Sequence, residues 1–318
     1  MRSAIVNKRL GRRVLRWPEA FTGYLFISPF IVGFLWFTAI PMAIAIYLSL
    51  TKYDIVSAPQ WVGLANFAKL FRDQRFWVSL GNTAFYAGIS VPLYLVTAFL
   101  ASLAMNLRIR GIRGYRTIFY LPSITPAVAN AMLWLWIFTP QWGLANQALK
   151  FLGLSAQNWF LDPQLSKPCL IFMGLWGIGP TMVIYLAGLQ GIPVMLYEAA
   201  EIDGAGIWAR FWHVTVPILS PVTFFNLIMG IIGAFQIFTT AYILTTGGAG
   251  GERSYGVGGV LDSLLFYVIY LWENAFSFWR MGYAAAQGWV LLIIILLFTI
   301  IQFKLAGRWV YYEAETRG

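Results

Sequence analysis

The feature that most constrains this chain is a series of long segments without a charged residue. Six of them are present, bounded by Glu19 and Lys52, Arg75 and Arg108, Arg116 and Lys150, Lys167 and Glu198, His213 and Glu252, and Arg280 and Lys304. About 20 apolar residues suffice for a helix that crosses a bilayer. Only 11% of the 318 residues are charged, against about 25% in soluble domains. The chain is therefore predicted to be an integral membrane protein.

An all-α polytopic fold is favoured over a spanning β-barrel. Lipid cannot satisfy open backbone groups, and the segments are too long and too uniformly apolar for the short alternating strands of a barrel. We expect six transmembrane helices at about 21–49, 80–106, 117–138, 168–189, 219–243 and 282–303. Together they form one membrane domain over residues 21–303.

The net charge of +10 has two interpretations, nucleic-acid binding and membrane topology. Topology is favoured because the basic residues flank the apolar segments, as they do in cytoplasmic loops. These residues are Arg2, Lys8, Arg9, Arg12, Arg13, Arg16, Arg108, Arg110, Arg113, Arg116, Lys304, Arg308 and Arg317. The other loops mix both signs. We predict a basic cytoplasmic segment at 1–20, a cytoplasmic tail at 304–318, an even number of spans and no nucleic-acid partner.

No enzyme motif is visible. The glycine cluster at 247–251 lacks the Lys-Ser/Thr pair of a phosphate loop, and neither H-E-x-x-H nor G-x-S-x-G occurs. The single cysteine, Cys169, and the single histidine, His213, offer no metal site. The spans contain almost no ionisable group of the kind that ion-coupled carriers use. We therefore predict a transport protein that binds no cofactor and takes its energy from a partner.

The segment from Glu198 to Pro217 interrupts the apolar pattern. Prolines at 193, 217 and 221 bracket it, which predicts a short helix-turn-helix insert on the cytoplasmic side. We place Glu198 and Glu201 in the first turn of its helix, where the helix dipole favours acids. Gly204 and Gly206 permit a sharp reversal, and Phe211 and Trp212 are apolar anchors. An ordinary surface loop and a docking helix for a soluble partner both fit these residues.

The spacing in this insert resembles the EAA signature of ABC importer permeases. The matching residues are Glu198, Ala199, Ala200, Gly204, Val214, Val216 and Pro217, with valines where the signature prefers isoleucine and leucine. The resemblance implies that the insert is the coupling helix, which sits in a cleft of the ATPase subunit. The residues implied in coupling are Glu198, Ala199, Ala200, Glu201, Asp203, Gly204, Ala205, Phe211 and Pro217.

The resemblance extends over most of the chain and is to the sugar-type permeases of the maltose and glycerol-phosphate kind. It is carried by Ser28-Pro29-Phe30, by 61–67, by 120–126, by 282–286 and by 308–313. It implies a type I ABC importer permease fold in the bacterial inner membrane. The implied partners are a second permease, two ATPase subunits that bind the ATP and Mg, and an extracytoplasmic solute-binding protein that delivers the sugar.

A sugar pathway should combine aromatic faces with uncharged hydrogen-bonding groups. The candidate lining residues are Trp176, Gly177, Thr181, Gly230, Gly233, Phe235 and Gln236, and the resemblance implies a substrate region around Gly177 to Thr181 and Gly230 to Gln236. Gln236 alone fits an interhelical hydrogen bond equally well. Two other functions stay open: an ABC permease for another polar solute, such as glycerol phosphate or a polyamine, and a stand-alone channel or carrier.

Overall fold

The computed structural model describes residues 19–107, 109–246 and 257–311. The predictions for the basic segment before residue 19, the glycine cluster at 247–251 and the last residues of the tail lie outside this part of the chain. Its elements are α1 (Glu19–Phe34), a π-helical segment (Leu35–Ala39), α2 (Ile40–Ser49), β1 (Thr51–Lys52), β2 (Gln60–Trp61), α3 (Ala65–Arg72), α4 (Gln74–Met105), α5 (Ile112–Tyr120), a 3₁₀ turn (Leu121–Ile124), α6 (Ala127–Ile137), α7 (Leu144–Phe151), α8 (Ser166–Leu175), α9 (Gly179–Gly191), α10 (Val194–Ile202), α11 (Ile207–Arg210), a π-helical segment (Phe211–Thr215), α12 (Val216–Ile218), α13 (Ser220–Phe235), α14 (Thr239–Thr246), a 3₁₀ turn (Val260–Asp262), α15 (Tyr267–Trp272), a π-helical segment (Glu273–Ser277) and α16 (Met281–Ala306).

The helices of the described residues give four candidate membrane spans, or six if each of two bent helix pairs counts as one span. Four segments of the described chain are long and apolar enough to cross a membrane, namely Phe21–Ser49, Gln74–Met105, Ser220–Thr246 and Met281–Ala306. Two further spans are bent pairs. Ile112–Ile124 meets Ala127–Ile137 at 99°, and Ser166–Leu175 meets Gly179–Gly191 at 47°. The structure thus confirms the all-α polytopic fold with about six spans.

The bends in the third and fourth spans lie at prolines. Thr125 is extended (φ −69°, ψ 129°) because the ring of Pro126 disfavours the helical conformation of the residue before it. Pro180 lies in the first turn of α9, where it lacks the N–H that would continue α8. Each of these predicted helices is therefore two helices, whereas Pro92 lies inside α4 without ending it.

The long helix α4 lies at the centre of the bundle and packs against α8, α9, α13 and α15. Its Phe99 ring lies 5.4 Å from the buried Tyr185 of α9. α16 packs along α2 and α3. In contrast, α1 exposes large apolar side chains such as Phe26 (81% exposed), as expected for a helix that faces lipid or another membrane chain.

One end of the bundle contains a small β-hairpin, and we call it the hairpin end. β1 pairs antiparallel with β2, Thr51 lying opposite Trp61. The side chain of Asn66 donates hydrogen bonds to the carbonyls of Ser49 (2.8 Å) and Thr51 (2.9 Å). The 61–67 segment therefore closes the hairpin onto the end of α2.

A network of ionised and phenolic groups joins α4 to the 257–280 segment at the hairpin end. Arg75 pairs with Asp262 (3.0 Å) and with the largely buried Glu273 (2.8 Å). Asp73, which caps α4, accepts hydrogen bonds from Tyr270 and from Tyr283. In the sequence these charges belong to two of the loops that mix both signs, and the structure brings them together.

Candidate functional site

The helix of the insert begins earlier than predicted. Pro193 is its N-cap and α10 starts at Val194. Glu198 therefore lies in the middle of α10 and Glu201 in its last turn, and no acid occupies the first turn. The prediction that the dipole stabilises these acids was wrong, because the proline, not Glu198, sets the start of the helix. Both carboxylates are exposed.

The turn after α10 ends the helix with a Schellman motif. The Ala205 N–H donates to the Ala200 carbonyl (2.8 Å), and the Gly204 N–H donates to the Glu201 carbonyl (3.0 Å). Gly204 adopts φ +82°, the left-handed conformation that this motif requires. The predicted helix-turn-helix is present, and Gly204 is the residue that permits its reversal.

An exposed patch of mixed character surrounds this turn, and we call it the insert knob. It consists of Glu198, Ala199, Ile202, Asp203, Ile207 and Trp208. Its largest apolar side chains are exposed at 87% (Ile202), 77% (Ile207) and 75% (Trp208). Sequence reasoning missed these three, although isoleucines on both sides of a glycine turn in a polar segment were a usable signal.

The second half of the insert points towards the bundle. Phe211 is half-buried, and its ring centroid lies 6.0 Å from that of Phe99 in α4. Trp212 stays 59% exposed. Arg210 pairs with Glu201 at 2.9 Å and so joins α11 to α10. The structure thus places Phe211 as an anchor to the bundle rather than on the exposed surface.

Contacts at its base join the two halves of the insert to each other, to α13 and to the chain after α16. The hydroxyls of Tyr197 and Thr215 lie 3.0 Å apart. Pro217 lies in the first turn of α12, and its carbonyl accepts a hydrogen bond from Ser220 (2.6 Å). The Ser220 hydroxyl in turn accepts one from the Tyr311 N–H (2.8 Å). A displacement of the insert would therefore act on α13 and the chain after α16 together.

A central cavity of about 390 Å³ lies between α4, α8, α9 and α13. This volume is within the usual range of small-molecule sites, about 300–1,000 Å³. Its lining residues are Tyr86, Ser90, Val91, Tyr94, Ile171, Gly174, Thr181, Asn226, Met229, Gly230, Gly233, Ala234 and Ile237. None of these described lining residues carries a carboxylate, amine, guanidinium or imidazole, so the polar side-chain groups of the cavity are hydroxyls and one amide.

Three of the predicted pathway residues line this cavity: Thr181, Gly230 and Gly233. A Cβ at Gly233 would meet nothing within 4 Å, whereas one at Gly230 would lie 2.9 Å from Val91. Gly233 therefore leaves space for a ligand, and Gly230 mainly lets α13 approach α4.

The other predicted pathway residues lie elsewhere. Trp176 is 54% exposed and packs edge-on against Trp134. Phe235 is buried against Phe298. Gln236 is exposed at the end of α13. Gly177 lies at the break between α8 and α9, next to the cavity but not among its lining residues.

Tyr94 connects the cavity to that break. Its hydroxyl donates to the Gly177 carbonyl (3.0 Å) and lies 3.5 Å from the Thr181 hydroxyl. Tyr86, Ser90 and Tyr94 recur every four residues on one face of α4. Sequence reasoning missed this face because it considered only the fourth and fifth spans as candidates for the pathway.

Comparisons with known proteins identify relatives over nearly the whole chain. The model of a family described as "Binding-protein-dependent transport system inner membrane component" matches residues 94–311. The probable ABC transporter permease protein YesP of Bacillus subtilis is 45% identical over 296 residues, which are 92% of this chain and 93% of that protein. The arabinooligosaccharides transport system permease protein AraP of Bacillus subtilis is 32% identical over 303 residues, 94% and 93% of the two chains.

A solved structure shares the fold. The crystal structure of a bacterial alginate ABC transporter, in complex with an alginate pentasaccharide-bound periplasmic protein, superposes with a TM-score of 0.78. The match covers 91% of this chain and 95% of that one at 22% identity. At that identity the similarity establishes the architecture.

Proposed function

Because the chain belongs to the family of binding-protein-dependent transport system inner membrane components, we propose that it is one permease subunit of an ABC importer for a sugar or oligosaccharide. An extracytoplasmic binding protein delivers the cargo, and two partner ATPase subunits bind and hydrolyse ATP. A second, homologous permease completes the pathway. The observation that carries this proposal is the insert knob, an exposed surface placed on a turn of defined geometry between two spans.

The insert knob fits a cleft in a soluble partner. Its isoleucines and tryptophan supply apolar contact area, and Glu198 and Asp203 supply negative charge for basic groups of the partner. The Schellman turn and the contact between Phe211 and Phe99 hold it against the bundle. ATP-driven closure of the ATPases would thus move a rigid element, and alternating access would follow as a rigid-body transition.

The central cavity fits an uncharged, hydroxyl-rich cargo. Tyrosine rings offer flat apolar faces, and Ser90, Thr181 and Asn226 offer hydrogen bonds without a charge. The name of the relative AraP, an arabinooligosaccharide permease, points to the same class of cargo. The glycine-lined side of the cavity leaves room for a sugar ring.

The basic residues orient the protein in the membrane. Arg110, Arg113 and Arg116 follow α4 at the end of the bundle that carries the insert. The positive-inside rule therefore assigns the insert and both termini to the cytoplasm, and the hairpin end to the outside. Because Cys169 is buried, single cysteines introduced at Ser57 and at Asp203 can be labelled selectively. We expect label at Ser57 from outside only and at Asp203 from inside only, and the reverse pattern would contradict this orientation.

Co-purification tests the importer assignment. The tagged chain, expressed with the second permease and the ATPase, should retain the ATPase through detergent purification. Trp208→Glu should release the ATPase, because a charge enters the apolar part of the insert knob. Trp142→Glu is the matched control, since Trp142 is also solvent-exposed (58%) but lies after α6 at the hairpin end. A chain that transports sugar without any bound ATPase would instead be a stand-alone channel or carrier.

A further inference from the structure

A single lysine lies on the cavity-facing side of α8. Lys167 is in the first turn of this helix, and Ile171 and Gly174, which line the central cavity, follow it at positions i+4 and i+7. Residues at this spacing share one helix face. Lys167 therefore lies above the cavity, about two helical turns or 10 Å nearer the hairpin end than Gly174.

The membrane-facing side of α8 is a different one. Pro168, Phe172 and Trp176 recur every four residues and are exposed, with Phe172 at 56% and Trp176 at 54%. A lysine that only extends towards lipid headgroups would be expected on that face. Lys167 is half-buried instead, and its Nζ lies 5.5 Å from the ring centroid of Phe85 in α4.

The surroundings of this ammonium group lack a counter-ion. Phe85 is 49% exposed and is not among the cavity-lining residues, whereas Tyr86, the next residue of α4, lines the cavity. The ion pairs within the described residues involve Arg75 and Arg210, and Lys167 has none. A partly buried cation without an anionic partner binds an incoming carboxylate more strongly than a solvated lysine does, since part of its desolvation has already occurred.

We propose that Lys167 is a specificity-determining residue that selects a carbohydrate cargo bearing a carboxylate, such as a uronate-containing oligosaccharide. This inference rests on the proposed importer function and narrows its cargo from sugars in general to acidic ones. The uncharged cavity holds the hydroxyls and ring faces of the sugar, and Lys167 contacts the carboxylate on the outer side. Because only one cation is involved, Lys167 contacts one carboxylate of the cargo at a time.

The test compares acidic and neutral forms of the same cargo. The complete importer, with its binding protein, is reconstituted in vesicles, and ATP-driven uptake is measured for digalacturonate, dimannuronate and their methyl esters, with arabinotriose as a neutral sugar. The binding protein is the same throughout, so a change in the acid-to-ester ratio reports on the permease. For Lys167→Gln the ratio should fall about tenfold, as expected for loss of a charge-assisted hydrogen bond. Lys167→Arg should keep most of it.

The matched control is Lys69→Gln. Lys69 also places its ammonium near an aromatic ring, 5.3 Å from the centroid of Tyr283, but it lies on α3, away from the cavity. Its acid-to-ester ratio should equal that of the wild type. A merely structural Lys167 would lower uptake of acid and ester alike and leave the ratio unchanged, which would overturn the proposal.

Two other results would also overturn the proposal for Lys167, and the first of them would leave the importer assignment intact. A third result would contradict the importer assignment itself. ATP-driven uptake of arabinotriose or the esters, with no uptake of either acid, would reject the acidic cargo and keep the importer. A Lys167→Gln defect that appears only in vesicles containing anionic lipid, and not in pure phosphatidylcholine, would assign Lys167 to a lipid headgroup. Absence of ATP-driven uptake of every carbohydrate would contradict the importer itself.

Discussion

Replacing Gly204 by valine isolates the contribution of one backbone conformation to coupling. Gly204 has φ +82°, and a Cβ built on it meets no atom within 4 Å. Steric overlap with neighbours is therefore absent, and the cost arises only from the left-handed backbone. That cost is about 1–2 kcal/mol for an L-residue, or about a 5- to 30-fold shift in the equilibrium of the turn. The Gly204→Val insert should therefore leave the Schellman geometry more often than the wild-type insert, by this factor in the equilibrium constant.

The same turn provides a matched control at Gly206. A Cβ on Gly206 also meets nothing within 4 Å, but its backbone is extended (φ −69°, ψ 174°), a conformation that valine readily adopts. Gly204→Asn is a graded variant, because asparagine tolerates the left-handed region better than valine. We expect the order Gly206→Val, Gly204→Asn, Gly204→Val from the mildest to the strongest defect.

The assay measures ATPase retained on the purified permeases and ATP-driven sugar uptake in vesicles. Membrane insertion should be unchanged in all three variants, because the turn lies outside the spans. Equal ATPase retention and uptake in Gly204→Val and Gly206→Val would refute the reasoning. The geometry of the turn would then be irrelevant to coupling, and the insert would be an ordinary loop.

Three further outcomes follow from other parts of the structure. Thr181→Val removes a cavity hydroxyl while conserving shape and should lower uptake about fivefold with ATPase retention unchanged, measured in the same vesicles. Tyr94→Phe removes the hydrogen bond to the Gly177 carbonyl at the α8–α9 break. It should lower the free energy of unfolding by about 1 kcal/mol, measured on the protein in detergent. For Asp73, burial raises the pKa, but hydrogen bonds from Tyr270 and Tyr283 outweigh it and hold the pKa below the ordinary 3.8. The stabilisation by the Asp73 carboxylate is therefore complete above pH 3.8 and is lost as the pH falls through the lower folded-state pKa. The difference in stability between wild type and Asp73→Asn should accordingly close on acidification. A difference that does not change with pH would contradict this.

The spans could be predicted from the sequence because their signal is the absence of charge over a bilayer's thickness, which needs no tertiary information. The positions at which the spanning helices break are harder to predict from the sequence. Pro92, Pro126 and Pro180 have the same local signal, but the third and fourth spans bend at Pro126 and Pro180, whereas α4 continues through Pro92. Whether a proline bends or ends a helix depends on the neighbouring helices that satisfy the freed backbone groups, as Tyr94 does at Gly177.

The candidate site was predicted unevenly for a similar reason. The reversal at Gly204 follows from local backbone chemistry, and it was found where expected. The cavity is a tertiary feature, and its α4 face of Tyr86, Ser90 and Tyr94 lies far in sequence from Thr181. The ion pairs of Arg75 with Asp262 and Glu273 likewise join residues almost 200 positions apart, which no spacing rule reveals.

ATP-driven accumulation is the measurement that tests the central claim most directly. The chain, its partner permease, the ATPase and the binding protein are placed in sealed vesicles, and labelled sugar inside is followed with ATP or with a non-hydrolysable analogue. We predict accumulation above the external concentration only with ATP and only with the binding protein. Equilibration to the external concentration without either component would contradict the account and identify a passive channel.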